Sequence, residues 1–173
     1  MKNNNKLKII PESIILGVSQ MFTGVFVDRI FPDTNRNIMW ESSDINIARV
    51  DESGNIYAIS PGIATITVKD LSTGKSASMK VQVIIGAYHL PIATIRFDEH
   101  DIEMNTGDNY SMAVSIEPED ASFTSLSWYS SDKDVAVVNS NGDIAAIGIG
   151  LAKVFAYAND GSGQYCICDI IVH

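Results

Sequence analysis

A 25-residue pattern occurs twice in this chain, and it constrains the fold more than any other feature. Residues 40–64 read WESSDINIARVDESGNIYAISPGIA, and residues 128–152 read WYSSDKDVAVVNSNGDIAAIGIGLA. The two segments are identical at 12 of 25 positions without a gap, whereas average amino-acid usage gives roughly one or two matches by chance. The chain is therefore an internal duplication of one structural unit.

The spacing of apolar residues predicts strands rather than helices. Alternating apolar and polar residues with β-branched side chains occur in segments 64–68, 79–84 and 112–116, which is the period of a half-buried strand. No stretch shows a sustained helical period. Turn sequences separate the runs, and about seven short strands per copy indicate a sandwich of two sheets. We therefore predict an all-β fold with two tandem immunoglobulin-like β-sandwich domains.

The two copies and their flanks divide the chain into four parts. We predict an N-terminal arm at 1–7, a first domain at 8–85, a short linker at 86–92 and a second domain at 93–173. Domains of this size bury enough apolar surface to fold without disulfides or metals. The linker is apolar, unlike a flexible Gly/Ser tether, so we expect Tyr88, Leu90 and Ile92 to pack at the junction.

Both copies place the same residue types at inward positions and at turns. Each tryptophan has the same parity as apolar neighbours on its strand, which predicts burial; the alternative is an exposed pair that stacks on sugar rings. The predicted structural core is Trp40, Val50, Ile56, Ala58, Trp128, Val138, Ile144 and Ala146. The predicted turn glycines are Gly54 and Gly142, which need positive φ in a hairpin, and Gly62 and Gly150, which mark a bulge or a close backbone approach.

The charge balance excludes some classes of partner. The formal net charge is −9, with 21 acidic and 12 basic residues, so the chain has no basic patch suited to nucleic acid. Lys2, Lys6 and Lys8 form the one basic cluster, and we predict that they act as an attachment arm. Acidic surfaces are repelled by anionic membranes, and no apolar run is long enough for membrane insertion. We expect no signal peptide, because residues 11–13 interrupt the apolar run.

The reactive residue types form no recognisable catalytic or metal-binding pattern. Cys166 and Cys168 lie two positions apart with no third cysteine, and we interpret them as reduced core residues. The three histidines are scattered, so no nucleophile has an activating base. Asp98, Glu99 and Asp101 are the densest acidic cluster, but they lack the glycine of a calcium loop. We predict no catalytic residue, no metal and no cofactor, and hence a protein that is not an enzyme.

The combined pattern resembles the bacterial Ig-like domain, group 2. In the first copy the resemblance rests on Trp40–Asp44, Ile47–Val50, Gly54–Ala58 and Gly62–Val68. In the second copy it rests on Trp128–Asp132, Val135–Val138, Gly142–Ala146 and Gly150–Val154. Together the copies extend from about Lys8 to Val172. The second copy departs from the family pattern at Lys153 and Phe155, where the first copy has Thr65 and Thr67. We therefore expect the two domains to present different surfaces.

The resemblance implies a small sandwich used in bacterial surface proteins, adhesins and phage virion proteins, without shared catalytic residues. We predict a structural or adhesive protein, and first of all a bacteriophage virion accessory protein, either a capsid decoration or a tail-associated protein. The alternative is a fragment of a bacterial cell-surface adhesin or S-layer-associated protein. A carbohydrate-binding module, with Tyr129 as its exposed aromatic residue, is a minor alternative. We therefore expect a protein partner on a virion or an extracellular surface, with a surface glycan as the alternative partner.

Overall fold

The structure, a computed structural model, describes residues 7–23, 26–28, 37–86 and 90–173. The chain divides into two compact units, residues 1–89 and 90–173. The described residues form strands and turns and include no helix. The predicted all-β fold with two tandem sandwich domains is confirmed.

Nine strands are described in the first unit. They are β1 (Lys8–Ile10), β2 (Ser13–Gly17), β3 (Met21–Phe22), β4 (Phe26–Asp28), β5 (Ile38–Ser42), β6 (Ala48–Val50), β7 (Ile56–Ala58), β8 (Gly62–Asp70) and β9 (Ser76–Ile84). The main sheet has the order β2-β9-β8-β5, a second sheet has the order β3-β7-β6, and β1 pairs with β4. β2 runs parallel to β9, and the other pairs are antiparallel.

The described part of the second unit repeats this topology with nine further strands. They are β10 (Thr94–Phe97), β11 (Asp101–Met104), β12 (Asn109–Ser111), β13 (Val114–Glu117), β14 (Leu126–Ser130), β15 (Ala136–Val138), β16 (Asp143–Ala146), β17 (Gly150–Ala158) and β18 (Tyr165–Val172). The orders are β11-β18-β17-β14, β12-β16-β15 and β10-β13, with β11 parallel to β18. The duplication in sequence is therefore a duplication of strand pairing.

The described strands outnumber the seven per copy that the sequence predicts, because single runs of chain change sheets. In the first unit, β1 pairs with β4, and after Pro11 the chain continues as β2 beside β9. In the second unit, β10 pairs with β13, and β11 pairs with β18. A proline that cannot donate to a ladder is one place where such a change occurs. Alternation of apolar residues marks these runs as strands but contains no information about which sheet they join.

Each unit encloses its own apolar core between its sheets. In the first unit the fully buried side chains come from both layers, and the largest are Ile14, Leu16, Ile56, Ile66 and Met79. In the second unit the corresponding set includes Ile144, Val154, Ile170 and Val172. Inward residues alternate with outward ones along every long strand, as a two-layer sandwich requires.

The segment that leads into the second unit is bonded to that unit. Ile92 is 1% exposed and packs with Ile95 and Ala158 in a small separate cluster. Its amide donates to Oδ2 of Asp160 at 2.6 Å, and Asp160 is itself 1% exposed. Leu90 exchanges hydrogen bonds with Ser122. Leu90 and Ile92, which the sequence places in the linker, thus have partners within 90–173, whereas Tyr88 lies outside the described residues.

Asp70 ends β8 with a buried carboxylate that organises the following turn. Its Oδ1 accepts hydrogen bonds from the amides of Ser72 and Thr73, at 2.9 and 3.1 Å, and from the hydroxyl of Ser72. The hydroxyl bond is the main cause that lowers the pKa of Asp70 to about 2. Hydrogen bonds that favour the ionised form of a carboxyl group stabilise the folded state while it is ionised.

This lowered pKa predicts a specific loss of stability in acid. An unfolded aspartate has a pKa of about 3.9, so the contribution of Asp70 is complete above about pH 4 and disappears as the pH falls towards about 2. We expect the denaturant midpoint of the native protein to fall over this window relative to that of Asp70→Asn, measured at pH 6, 4 and 2.5. Glu52→Gln, which removes one charge from an exposed turn, is the control. A constant difference between native and Asp70→Asn midpoints would contradict the assignment.

Candidate functional site

The two tryptophans occupy equivalent places beside a turn glycine. Trp40 on β5 and Trp128 on β14 are half-buried and pack against the cores of their units. Gly54 and Gly142 have φ values of +86° and +88°. A Cβ atom added to them would lie 2.8 Å from Cζ2 of Trp40 and 2.6 Å from Cζ2 of Trp128. The glycines therefore serve two purposes, because they permit the turn and leave room for the indole ring.

The other predicted core and glycine positions have structural roles as well. Ile56, Ala58, Ile144 and Ala146 are buried, and Val50 and Val138 are half-buried against the same cores. A Cβ atom at Gly62 would lie 2.6 Å from Cδ1 of Ile47, and one at Gly150 would lie 2.7 Å from Cγ2 of Val135. These glycines begin β8 and β17 at a close approach of the backbone to a neighbouring side chain.

The shared Ser-Ser-Asp sequence forms a hydrogen-bonded corner in each unit. The hydroxyl of Ser42 donates to a backbone carbonyl at 2.6 Å, and the hydroxyl of Ser43 accepts a backbone amide at 2.8 Å. Asp44 accepts the amide of Asn46 at 2.9 Å. The second unit repeats all three bonds with Ser130, Ser131 and Asp132. The corner satisfies backbone groups, which is the usual role of these residues in turns.

In the turn between β6 and β7, the carboxylate of Asp51 also accepts hydrogen bonds from neighbouring residues. Asp51 accepts from the amides of Ser53 and Asn55, from the Asn55 side chain and from the hydroxyl of Tyr57. The bond from the Asn55 side chain is the largest cause that lowers the pKa of Asp51. An acidic residue in this position is therefore explained by turn formation, without any ligand.

The predicted attachment arm is only partly described. Lys2 and Lys6 lie outside the described residues. Lys8 begins β1 and pairs with Asp28 in the strand register. Leu7, which the sequence assigns to the arm, is buried in the first core. Leu7 therefore packs with the first sandwich, and both the boundary at residue 8 and the attachment role of the three lysines stay predictions.

The outer faces of the two main sheets differ sharply. In the second unit, one cluster of outward side chains is apolar, and we call it the aromatic face: Tyr129, Phe155, Tyr157, Tyr165 and Ile167. The strand register places Tyr129 opposite Phe155, Phe155 opposite Ile167, and Tyr157 opposite Tyr165. Tyr165 is 53% exposed and Ile167 is 38% exposed. The main sheet of the second unit therefore has apolar side chains on both of its faces: one face packs in the core, and the other is directed outwards.

The rings of the aromatic face contact one another in three pairs, two of them stacked and one tilted. Centroids are 5.7 Å apart for Tyr129 and Phe155, 6.0 Å for Phe155 and Tyr157, and 5.4 Å for Tyr157 and Tyr165. The last two pairs are nearly parallel, at 13° and 26°. Such contacts stabilise a sheet across its strands. They also cover ring faces, so that Tyr157 is only 8% exposed.

The matching positions of the first unit are polar. They are Glu41, Thr67, Lys69, Ser76 and Ser78, with Glu41 opposite Thr67, Thr67 opposite Ser78, and Lys69 opposite Ser76. Glu41 pairs with Lys69, and the hydroxyls of Thr67 and Ser78 lie 2.8 Å apart. The same strands thus form the same sheet with polar side chains at these five positions, although Met39 and Ile63 are exposed apolar residues elsewhere on the face. The fold therefore does not require the aromatic residues.

An acidic border adjoins the aromatic face. Asp101 lies opposite Asp169 in the register of β11 and β18, and Asp169 pairs with Lys153 at 2.5 Å. Glu103, two residues along β11, is exposed, with Nε2 of His173 at 3.6 Å from its Oε2. Among these described side chains, three carboxylates thus face one lysine ammonium and one histidine imidazole.

The predicted reactive residues are not gathered into a site. No group of three or more His, Cys, Asp or Glu side chains that could hold a metal occurs among residues 7–23, 26–28, 37–86 and 90–173. Over the same residues, no helix is long and apolar enough to cross a membrane. Asp98, Glu99 and Asp101 are neighbours in sequence but not part of such a group. The absence of a cofactor stays a prediction.

The two cysteines behave as core residues in the structure. Cys168 is buried in the second core, and Cys166 is half-buried against it. Burial raises the pKa of the Cys166 thiol to about 12 and that of the Cys168 thiol to about 11. Because the thiolate is the nucleophile, these thiols are almost entirely in the unreactive form at neutral pH.

We therefore expect the folded protein to resist alkylation. Iodoacetamide at pH 8 should leave both thiols unmodified over an hour or so, and both should react within minutes after denaturation, as read by mass spectrometry. Rapid modification of the native protein would show that the β17–β18 hairpin opens readily.

Comparisons with known proteins identify relatives for both copies. The family model of the bacterial Ig-like domain (group 2) matches residues 8–81 and 91–167. An uncharacterized protein of Clostridium acetobutylicum is 28% identical over 145 residues, covering 83% of this chain and 15% of that protein. Ice-binding protein 1 of Shewanella frigidimarina is 27% identical over 157 residues, covering 85% and 16%. The chain thus spans less than a fifth of the length of these two relatives.

Solved structures resemble the chain more distantly. Domains 4 and 5 of the S-layer protein SbsC are 16% identical, with a TM-score of 0.41, over 79% of this chain and 76% of that one. Drosophila N-cadherin EC1-4 is 13% identical, with a TM-score of 0.38, over 97% of this chain and 49% of that one.

Proposed function

Because this chain belongs to the family of bacterial Ig-like domains, group 2, we propose that it is a structural and adhesive module of an extracellular assembly. The resemblance predicted from the sequence is confirmed by the match to both copies. In this proposal the sandwiches hold and present surfaces, and they carry out no chemical step. Relatives that are several times longer than this chain support a modular role, in which such units are parts of larger proteins.

One observation carries the proposal: the residues shared by the two copies are used for packing and turns, while the outer faces differ. The tryptophans, the turn glycines and the Ser-Ser-Asp corners are engaged in the same contacts in both units. An enzyme would need polar residues that converge for a purpose other than folding. A pair of scaffolds with separate surfaces is instead what a spacer or adhesive protein requires.

Two settings suit this function, and the proposal includes both. In the first, the chain is a virion accessory protein that decorates a capsid or a tail. In the second, it is part of a bacterial surface protein, as a stalk or a binding module. Both settings need a compact module that displays a protein-binding surface to the outside, and they differ in what the module is attached to.

The location of the protein tests the proposal. Gold-labelled antibodies raised against this chain are applied to thin sections and to purified particles of the source organism. We expect label on released particles if the setting is the virion, and label on the cell envelope if it is the bacterial surface. Label confined to the cell interior, with none on particles or envelope, would overturn the proposal. Pre-incubation of the antibodies with the purified chain is the control.

A further inference from the structure

We propose that the aromatic face of the second unit is a docking surface for a protein whose contact region has an apolar centre and basic side chains at its border. This inference rests on the proposed function and names the partner class and the surface. The matching positions of the first unit, which are polar, are then not part of the contact, and the two copies have separate tasks.

The comparison between the copies indicates that the aromatic face exists for a reason other than folding. Single exposed apolar side chains are ordinary on a soluble surface, whereas a contiguous apolar cluster promotes association and marks an interaction site. At the matching positions the first unit has charged and hydroxyl side chains with the same strand pairing. Tyr165 and Ile167 remain substantially exposed, although their neighbours cover Tyr157. Aromatic side chains of this kind are enriched at the centres of protein interfaces.

The acidic border indicates the charge of the partner. Asp101, Glu103 and Asp169 lie on β11 and β18, where Lys153 pairs with Asp169 and His173 lies beside Glu103. The whole chain carries a net charge of −9. Lysine or arginine side chains at the border of a partner would therefore be attracted during encounter and paired in the complex. An acidic partner would be repelled.

The same features argue against two other occupants. A second copy of the chain would bring two acidic borders together if the faces met, and like charges at close range oppose contact. A sugar ring stacks on an open aromatic face, but Phe155, Tyr157 and Tyr165 stack in succession at 6.0 and 5.4 Å, and Tyr129 lies tilted against Phe155 at 5.7 Å. Tyr165 and Ile167 are the most exposed members of the aromatic face, and a mixed aromatic and aliphatic surface suits the side chains of a protein.

Selection from a peptide library tests the proposal directly. A phage-displayed library of random 12-residue peptides is selected on the full chain and on the variant Tyr165→Ser/Ile167→Ser, which carries the residues of the first unit at these two positions. We expect the selected peptides to combine apolar residues with lysine or arginine, and to bind the variant at least about tenfold more weakly, equal to 1.4 kcal/mol. Ile149→Ser, which replaces an exposed apolar residue outside the aromatic face, should leave binding unchanged.

A second variant keeps the aromatic residues and changes only the border. Asp101→Lys/Glu103→Lys should lose binding to the basic peptides while its melting temperature stays close to that of the native protein. The proposal is overturned if selection yields no binder, if the binders are acidic, or if they bind all variants equally. It is also overturned if the double serine variant abolishes binding on a glycan array, or abolishes self-association in sedimentation. These outcomes are independent of where gold label is found, so they separate this inference from the proposed function.

Discussion

Replacing Gly142 with alanine is expected to destabilise the second unit by about 3 kcal/mol, since two costs combine. The residue has a φ of +88°, where a side chain costs roughly 1–2 kcal/mol. The new methyl group would also lie 2.6 Å from Cζ2 of Trp128. The indole can yield only by shifting against the core, where Trp128 stacks on Phe97 at 5.7 Å, and such overpacking typically costs roughly 1–3 kcal/mol.

Gly107 supplies the matched control in the same unit. Its φ is +95°, but a Cβ atom there would have no neighbour within 4 Å. Gly107→Ala should therefore show the backbone cost alone, about 1 kcal/mol. In the first unit, Gly54→Ala and Gly74→Ala provide the equivalent comparison, because a Cβ atom at Gly54 would meet Trp40 and one at Gly74 would have no neighbour within 4 Å. Urea unfolding of the four variants measures both costs, and equal losses for Gly142→Ala and Gly107→Ala would mean that the tryptophan contact contributes nothing.

Loss of the Asp160 carboxylate is expected to cost a similar amount, about 3 kcal/mol, because it leaves a buried amide without an acceptor. Asp160 accepts the amide of Ile92 at 2.6 Å, and its other oxygen accepts the amide and the hydroxyl of Ser162. Both Ile92 and Asp160 are buried. In Asp160→Ala the amide of Ile92 stays buried, so it still gives up its hydrogen bonds to water on folding. It no longer has an acceptor in the protein to replace them.

Hydrogen exchange and unfolding together test this expectation. In Asp160→Ala the amide of Ile92 should exchange much faster than in the native protein, and the urea midpoint should fall. Asp160→Asn retains a side-chain carbonyl and should recover part of the loss. Asp120→Ala, at an exposed position, is the control for removing one negative charge. Unchanged protection of Ile92 in Asp160→Ala would show that the buried bond does not hold this segment in place.

The internal architecture of each unit could be predicted because it depends on local rules. Alternation identified the inward residues, and parity placed Trp40 and Trp128 on the core side of their strands. The hairpin at Gly54 could be predicted from turn chemistry. The parallel pairing of β2 with β9 could not be predicted. An alternating sequence pattern is the same whichever direction a strand runs and whichever strand it pairs with. The hydrogen bond between Ile92 and Asp160 joins residues 68 positions apart, and the sequence around neither residue predicts it.

The aromatic face was missed for a related reason. On sequence alone, Tyr129 is a single exposed aromatic residue, and Phe155 is a departure from the family pattern. Only the register of three strands brings both together with Tyr157 and Tyr165. The signal was present, however, in the outward positions of the two copies, because Thr67 and Ser76 stand where Phe155 and Tyr165 do. A comparison of outward residues between repeats would have found the difference.

The parallel strands have a mechanical consequence. In the second unit, Asp101–Met104 lies beside Asp169–Val172, in the same direction, and the first unit has the same arrangement of β2 and β9. Tension between the ends of such a unit draws the two strands past each other along their length. The hydrogen bonds between them are then strained together in shear, rather than opened one at a time as in a zipper. Resistance to stretching is thus a property of the strand order, and it is present in both copies.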